Sequence, residues 1–340
     1  MRLLVSGYYG AGNLGDEALL AGLLAALRGT GVTPIVASLD PGATARDHGV
    51  AAVDRWRGLP AALWRADAVL SGGGGLLQDR TSARSLGYYL GVIRLARAIR
   101  RQAVVFGQSL GPLSPAGEAR VRRALRGVPV GLRDRPSLAL AARLGLPAYP
   151  VADTALLLPA ATDPAPADAA GTLVLVPRAG HPAVGDVLAD LGRRRLAAGG
   201  RVRIVSFHAA HDRAEAARLQ AALPSAEALA PASVAELRRA LTGVHAIVSG
   251  RLHGLVLGAT VGAPVAGVAY DPKVAGFATE LGAPVVAVPG GANGDPAAAS
   301  AALQVFVEAP WLDGEALARL TARARDGVRW LLDEALHVGS

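Results

Sequence analysis

The chain has no cysteine, one lysine and two asparagines, and aromatic residues make up only 4% of its 340 residues. Without cysteine there is neither a disulfide nor a thiolate metal site, and the redox compartment stays open. Arginines spread along segments such as Arg94, Arg97, Arg100 and Arg101 have no aromatics interleaved in the manner of a nucleic-acid platform, so nucleic acid is not an expected partner. The apolar run Leu3 to Val5 stops at a glycine loop and is too short for a signal peptide. Leu252 to Tyr270 carries no formal charge over 19 residues, enough to raise the question of a membrane span. Gly254, Gly258, Gly262, Pro264 and Gly267 break it into a strand–helix–strand pattern, and a cytoplasmic protein is the expectation. No Walker A motif is present, and no G-x-S-x-G frames Ser6 or Ser249. His208 and His211 form an H-x-x-H pair after a strand, outside the helical H-E-x-x-H context, so no metal is expected. His208 itself reads as a binding-loop residue; His48, His181, His245 and His337 read as structural or exposed.

What is present is globular: 51% hydrophobic, 18% charged, and long enough for two domains with separate cores. A net charge of +8 suits acidic partners, among them phosphorylated metabolites or an anionic membrane surface. Short apolar runs ending in glycine-rich or polar loops recur at Leu3–Ser6, Val32–Ala37, Ala68–Ser71, Ala103–Phe106, Val130–Leu132 and Tyr149–Ala152. This is the rhythm of a doubly wound parallel sheet. The proline- and alanine-rich stretch 159–171 reads as a linker. A second α/β rhythm follows, and an amphipathic helix is expected from Glu315 to Leu336. The organisation expected is therefore an N-terminal Rossmann-like domain at 1–158, a linker at 159–171, a C-terminal Rossmann-like domain at 172–310, and a helix in 311–340 able to pack back on the first domain. Two such halves facing a cleft make a GT-B-like architecture.

In the loop from Gly7 to Gly15 the run Gly10 to Gly15 matches G-x-G-x-x-G, but Asp16 and Glu17 follow at the helix start and would repel a pyrophosphate there. Four consecutive glycines at 72–75 suggest a flexible collar of free amides. The segment 246–274 carries the densest chemistry. Arg251 and His253 follow one strand end, and Asp271 and Lys273 follow the next. Lys273 is the only lysine of the chain, and a compact ammonium differs in kind from an arginine fork. Two cations and an imidazole at adjacent strand ends suit a small anion bearing phosphate or carboxylate. Arg178, at another strand end, is a further candidate.

The motifs GYYGAGNLGDEALL (7–20), SGGGGLLQD (71–79), GQSLGP (107–112), RDRPS (133–137) and SGRLHGLVLGATVGAPVAGVAYDPKV (249–274) resemble the bacterial polysaccharide pyruvyltransferases, most closely the CsaB type. In order and spacing they cover nearly the whole chain. The resemblance implies transfer of the enolpyruvyl group of phosphoenolpyruvate onto a sugar, giving a pyruvate ketal. The implied acceptor is N-acetylmannosamine of a lipid-linked secondary cell-wall polysaccharide precursor, and the ketal would anchor S-layer proteins. No cofactor beyond the donor substrate is expected. Peripheral contact with the inner face of the plasma membrane would suit a lipid-linked acceptor and the positive charge. On this reading His253, Arg251 and Lys273 are catalytic, and Arg251, Lys273, Arg133, Arg178 and His208 bind phosphoenolpyruvate. Tyr9, Asn13, Asp16, Glu17, Gly74, Gln78, Asp79 and Gln108 face the acceptor. The chain departs from the family pattern beside Arg178, where Pro177-Arg178-Ala179 stands in place of an expected aromatic neighbour. The alternative is a GT-B glycosyltransferase using a nucleotide-sugar donor; a non-enzymatic anion-binding module is a third reading.

Overall fold

Runs rich in valine, leucine and isoleucine form thirteen strands, all of them parallel, in a computed structural model that describes residues 1–80, 82–160, 164–288 and 295–338. They belong to two units. Unit 1 comprises Met1–Ala11, Asp16–Leu158 and the chain from Thr321 onward; unit 2 comprises Gly12–Gly15 and Pro159–Leu320. Residues 161–163 of the expected linker lie outside the described residues. The rest of that stretch is fastened to unit 2, where Arg238 donates to the Pro159 carbonyl at 2.6 Å and Arg203 pairs with Asp168 at 2.7 Å.

In unit 1 the strands are β1 (Arg2–Tyr9), β2 (Thr33–Ser38), β3 (Ala51–Asp54), β4 (Ala68–Leu77), β5 (Gln102–Leu110), β6 (Val130–Leu132) and β7 (Tyr149–Pro150), ordered β3-β2-β1-β4-β5-β6-β7. Leu3, Leu4 and Val5 of β1 are fully buried, as parallel strands covered by helices on both faces require. One face is covered by the helices Leu59–Arg65, Ala83–Ala98, Pro115–Leu125 and Arg135–Arg143. The other is covered by Leu14–Leu27 and the C-terminal segment, whose Trp330 stacks on Tyr149 with ring centroids 5.0 Å apart.

In unit 2 the strands are β8 (Thr172–Val176), β9 (Arg201–Val205), β10 (Glu227–Leu229), β11 (Ala246–Ser249), β12 (Val265–Ala269) and β13 (Val285–Ala287), ordered β10-β9-β8-β11-β12-β13. Both sheets reverse direction of growth after their third strand, the fourth returning to the free side of the first. The switch points, where α/β folds place ligands, are therefore β1/β4 in unit 1 and β8/β11 in unit 2.

The glycine run departs from expectation. It continues β4 as buried strand rather than forming a free collar, with Gly73 and Gly74 at φ of 64° and 87°. A Cβ on Gly73 would come within 3.1 Å of the Tyr9 hydroxyl, and the positive φ there favours glycine further. Among the described residues, no helix is long and apolar enough to cross a membrane.

Candidate functional site

The carboxyl edge of the unit 2 sheet gathers four strand ends in spatial order. Phe207 and His208 follow β9, Pro177 and Arg178 follow β8, Gly250 to His253 follow β11, and Tyr270 to Lys273 follow β12. All four ends lead into helix N-termini, with His208, His181, Arg251 and Asp271 at the N-cap positions, where backbone N–H groups favour an anion. Gly250 has to be glycine because a Cβ there would lie 2.5 Å from Val184 Cγ1.

Arg251 is 7% exposed, and its guanidinium donates to Asp212, which is 0% exposed. Arg251 Nε also donates to the Pro177 carbonyl at 3.3 Å. The second oxygen of Asp212 accepts the backbone N–H groups of Phe207 (3.2 Å) and His208 (3.0 Å). One buried carboxylate thus ties the β9 loop to the β11 loop. Burial pushes the Arg251 pKa down, Asp212 opposes this, and neighbouring Arg178 adds to the depression. The charge of Arg251, expected at the anion site, is met from within by Asp212. The cation at the switch point that no described carboxylate pairs with is Arg178, whose Cβ lies beside Gly250 and whose guanidinium carbon lies 5.9 Å from the Tyr270 ring centroid.

His208 is 8% exposed. Its Nδ1 accepts the His211 backbone N–H at 3.4 Å, while Nε2 is buried without a hydrogen-bond partner. Burial, then His211 and Arg251, hold the imidazole below its ordinary pKa. The neutral ring accepting at Nδ1 carries its proton on Nε2, assigned from this hydrogen bond. Nε2–H is therefore a donor awaiting an acceptor. The ring of His181 lies 3.7 Å from that of Tyr270. Asp212, Tyr270 and His181 were not singled out from the sequence, and a carboxylate in the first turn of the helix Ala209–Ala222 was the only signal for Asp212. Lys273 sits in the first turn of Pro272–Glu280, its N–H donating to Asp271 at 2.9 Å. His253 lies in the first turn of Leu252–Thr260, where a Cβ on Gly15 would meet its Nδ1 at 2.3 Å. Within unit 2, Leu14 N–H also donates to the Phe207 carbonyl at 2.9 Å. The tip of the first glycine loop, with Asn13 accepting from Gly15 N–H at 3.3 Å, therefore belongs to this edge. Among the described residues, no group of three or more histidines and carboxylates is placed to hold a metal ion.

The remaining candidates sit in unit 1, and several are committed to its framework. Tyr9 is 1% exposed and donates to the Gly72 carbonyl at 3.2 Å, its pKa raised by burial and by Asp16 and Glu17. Its ring packs the glycine strand and is not open to a sugar. Glu17 accepts the Gly10 N–H at 2.8 Å and meets His48 Nε2 at 2.9 Å. It thereby occupies an amide that a pyrophosphate would need. Asp79 holds both the N–H (2.9 Å) and the hydroxyl (2.5 Å) of Ser114, which lowers its pKa. Arg133 is 9% exposed, bonded to Asp153 at 2.7 Å and Ser109 at 3.0 Å. Arg133 is thus held by a buried ion pair within unit 1. Gln108 is fully buried, its amide donating to Ser71 at 2.8 Å. Asp16, 8% exposed, lies against Gly74, and Gln78 is partly exposed.

A sequence profile described as polysaccharide pyruvyl transferase matches residues 13–272. No curated protein matches the sequence. By fold, the chain resembles the Anabaena protein Alr3699/HepE solved with UDP and glucose (12% identity, TM-score 0.61, covering 99% of this chain and 97% of that one). It also resembles the Methanocaldococcus jannaschii UDP-GlcNAc 2-epimerase solved with UDP-GlcNAc and UDP (11%, 0.61, 95% and 99%). A third likeness is to the E. coli heptosyltransferase WaaC with ADP (19%, 0.50, 91% and 99%). At these identities the likeness shows the fold alone: two parallel-sheet α/β units of GT-B type.

Proposed function

The chain belongs to the polysaccharide pyruvyl transferase family, and from that premise we propose that it moves the enolpyruvyl group of phosphoenolpyruvate onto a sugar and closes it into a pyruvate ketal. In its specific form the proposal is a CsaB-type reaction on N-acetylmannosamine of a lipid-linked secondary cell-wall polysaccharide precursor, the ketal anchoring S-layer proteins. The observation that carries the donor assignment is the edge of unit 2. There Arg178 and the buried, unpartnered His208 Nε2–H flank the β8/β11 switch point, between helix N-termini. Phosphoenolpyruvate brings two compact anions, and charge-assisted hydrogen bonds from Arg178, His208 and Lys273 would hold them. Arg251, fixed by Asp212, positions the loop and supplies its remaining donors.

The reaction requires a proton delivered to the methylene carbon, while one sugar hydroxyl bonds to C2 and gives up its proton. The C2–O bond to phosphate then breaks with its electron pair, and a second hydroxyl closes on C2, losing its proton. His253 is the proposed proton carrier, because an imidazole both gives and takes protons near neutrality. Asn13, on the loop whose Gly15 backbone abuts the His253 ring, is the proposed acceptor contact.

Calorimetric titration with phosphoenolpyruvate and, separately, with UDP-sugars tests the donor. Phosphoenolpyruvate binding that is lost in Arg178→Ala and Lys273→Ala supports the reading. Tight UDP-sugar binding with no phosphoenolpyruvate signal gives the protein to the nucleotide-sugar transferases. Full turnover by His253→Ala removes that residue from the chemistry.

A further inference from the structure

The excess positive charge of this chain is concentrated in one segment. Residues 83–126 contain nine arginines and a single carboxylate, Glu118, so this segment holds the whole net charge of +8. The rest of the chain is balanced, with 26 basic and 26 acidic residues. Folding gathers that excess onto the helices Ala83–Ala98 and Pro115–Leu125, which cover the same face of the unit 1 sheet. Between them runs a groove of about 510 Å³, walled by Arg94, Arg97, Arg120 and Arg123. A second hollow of about 390 Å³ adjoins it, with Arg122 and Arg126 and again Arg123 in its lining. Glu118 is taken by Arg143 at 2.7 Å, and among the described residues no ion pair neutralises any arginine of the groove.

The groove floor is unusual for a helix. Gly87 and Gly91, one turn apart, face it, and a Cβ on Gly91 would meet nothing within 4 Å. Interior helical glycine costs about 1 kcal/mol against alanine; no neighbouring atom demands it at Gly91, and at Gly87 a Cβ would meet only the flexible end of Arg120, at 3.1 Å. A site that admits a bulky group close to the backbone gives glycine a purpose.

Beside the groove the same helix carries an apolar stripe. Tyr88 and Leu95 are seven residues apart and so share a side; Leu95 is 44% exposed. Tyr88 holds Trp56 edge-on at 4.8 Å, and Trp56 is itself 61% exposed. Trp64, 69% exposed, is tied to the end of this helix by Arg101, which donates to its carbonyl at 2.8 Å. Both indoles belong to the segment around the helix Leu59–Arg65, on the same sheet face.

We propose that this arginine groove, with Trp56, Trp64 and Leu95 beside it, is a docking surface for a bilayer rich in anionic phospholipid. Lipid phosphates would lie between Arg94, Arg97, Arg120 and Arg123, and the two indoles would sit at the interfacial depth that tryptophan favours. A soluble polyanion matches the arginines and leaves three exposed apolar side chains unexplained; a bilayer interface matches both. The inference stands on this surface alone and is independent of the reaction proposed above.

Vesicle flotation of the full chain tests it, using phosphatidylcholine vesicles with and without phosphatidylglycerol. The chain is expected to float only with phosphatidylglycerol. Arg94→Glu/Arg123→Glu should weaken partitioning by about 30-fold or more, since each arginine near the surface contributes about fivefold. Arg28→Glu/Arg46→Glu, which changes net charge equally but lies outside the segment, should leave it within about twofold. Bound protein should show a blue-shifted tryptophan emission that shrinks in Trp56→Phe/Trp64→Phe. Should the charge reversal fold poorly, Arg94→Gln/Arg123→Gln reads the same contacts. Equal flotation on both vesicle types, equal loss in the two charge-reversed proteins, or binding to heparin without binding to vesicles would each overturn the proposal.

Discussion

Replacing Asp212 by asparagine isolates the contact that holds the unit 2 edge together. The substitution keeps the shape and leaves an oxygen to accept the Phe207 and His208 N–H groups, so most of the loop geometry has a partner. It removes the charge facing Arg251. With side chains 0% and 8% exposed, water cannot replace it, and breaking one side of such a pair costs about 3–5 kcal/mol. Because two units need not unfold together, urea titration is best read by hydrogen exchange in β8 and β11. A single-unit reading avoids averaging over unit 1. Arg251→Met/Asp212→Asn removes the stranded charge as well and should recover to within about 2 kcal/mol of the parent, since apolar replacement of a buried pair is often near neutral. A loss below about 1 kcal/mol in the single variant would show that Arg251 reaches solvent. A double variant as costly as the two singles added together would show that the residues do not act as a pair.

The depressed pKa of His208 has a signed consequence. The unfolded chain binds its proton near the ordinary value of about 6.5, whereas the folded chain resists it, so stability should fall as pH drops below that value and level off once the folded imidazole is itself protonated. His208→Asn should flatten this part of a pH series of thermal melts. Arg178→Gln should leave the melting temperature nearly unchanged and weaken phosphoenolpyruvate binding by about 10- to 100-fold, the range for one hydrogen bond to a charged group. Gly250→Ala places a methyl 2.5 Å from Val184 and should destabilise unit 2 by about 1–3 kcal/mol through overpacking; an unchanged urea midpoint would show that the turn yields.

The two-sheet architecture was legible because a parallel strand covered on both faces needs an unbroken apolar run, and Leu3–Val5 or Ile247–Val248 can be little else. Strands without such a run escaped. Ala51–Asp54 and Glu227–Leu229 sit toward or at sheet edges and carry partly or largely exposed residues. The glycines of β4 read as a loop because Gly73 and Gly74 take positive φ inside the strand, with Tyr9 and Leu19 packed against Gly73, which local propensity does not contain. At the site, Arg251, His253, Arg178 and His208 announced themselves by following strand ends. Asp212 did not, since its meaning lies in Arg251, 39 positions along the chain. Tyr9, Glu17, Asp79 and Arg133 were legible as polar residues at loops, but only their partners show that the framework already uses them.

The connectivity of unit 1 bears on how the protein is made. Its sheet is finished by residue 158, yet part of its second face is covered by residues from Thr321 onward. Trp330 must travel back to Tyr149 and Phe106, with unit 2 synthesised in between. In terms of chain order, most of unit 2 is a long insertion within unit 1. On the ribosome, the part of that face not covered by Leu14–Leu27 therefore stays open until the segment from Thr321 has emerged, when most of unit 2 is already made. Closure of unit 1 is a contact of high sequence separation, slow to form and dependent on an intact carboxyl end.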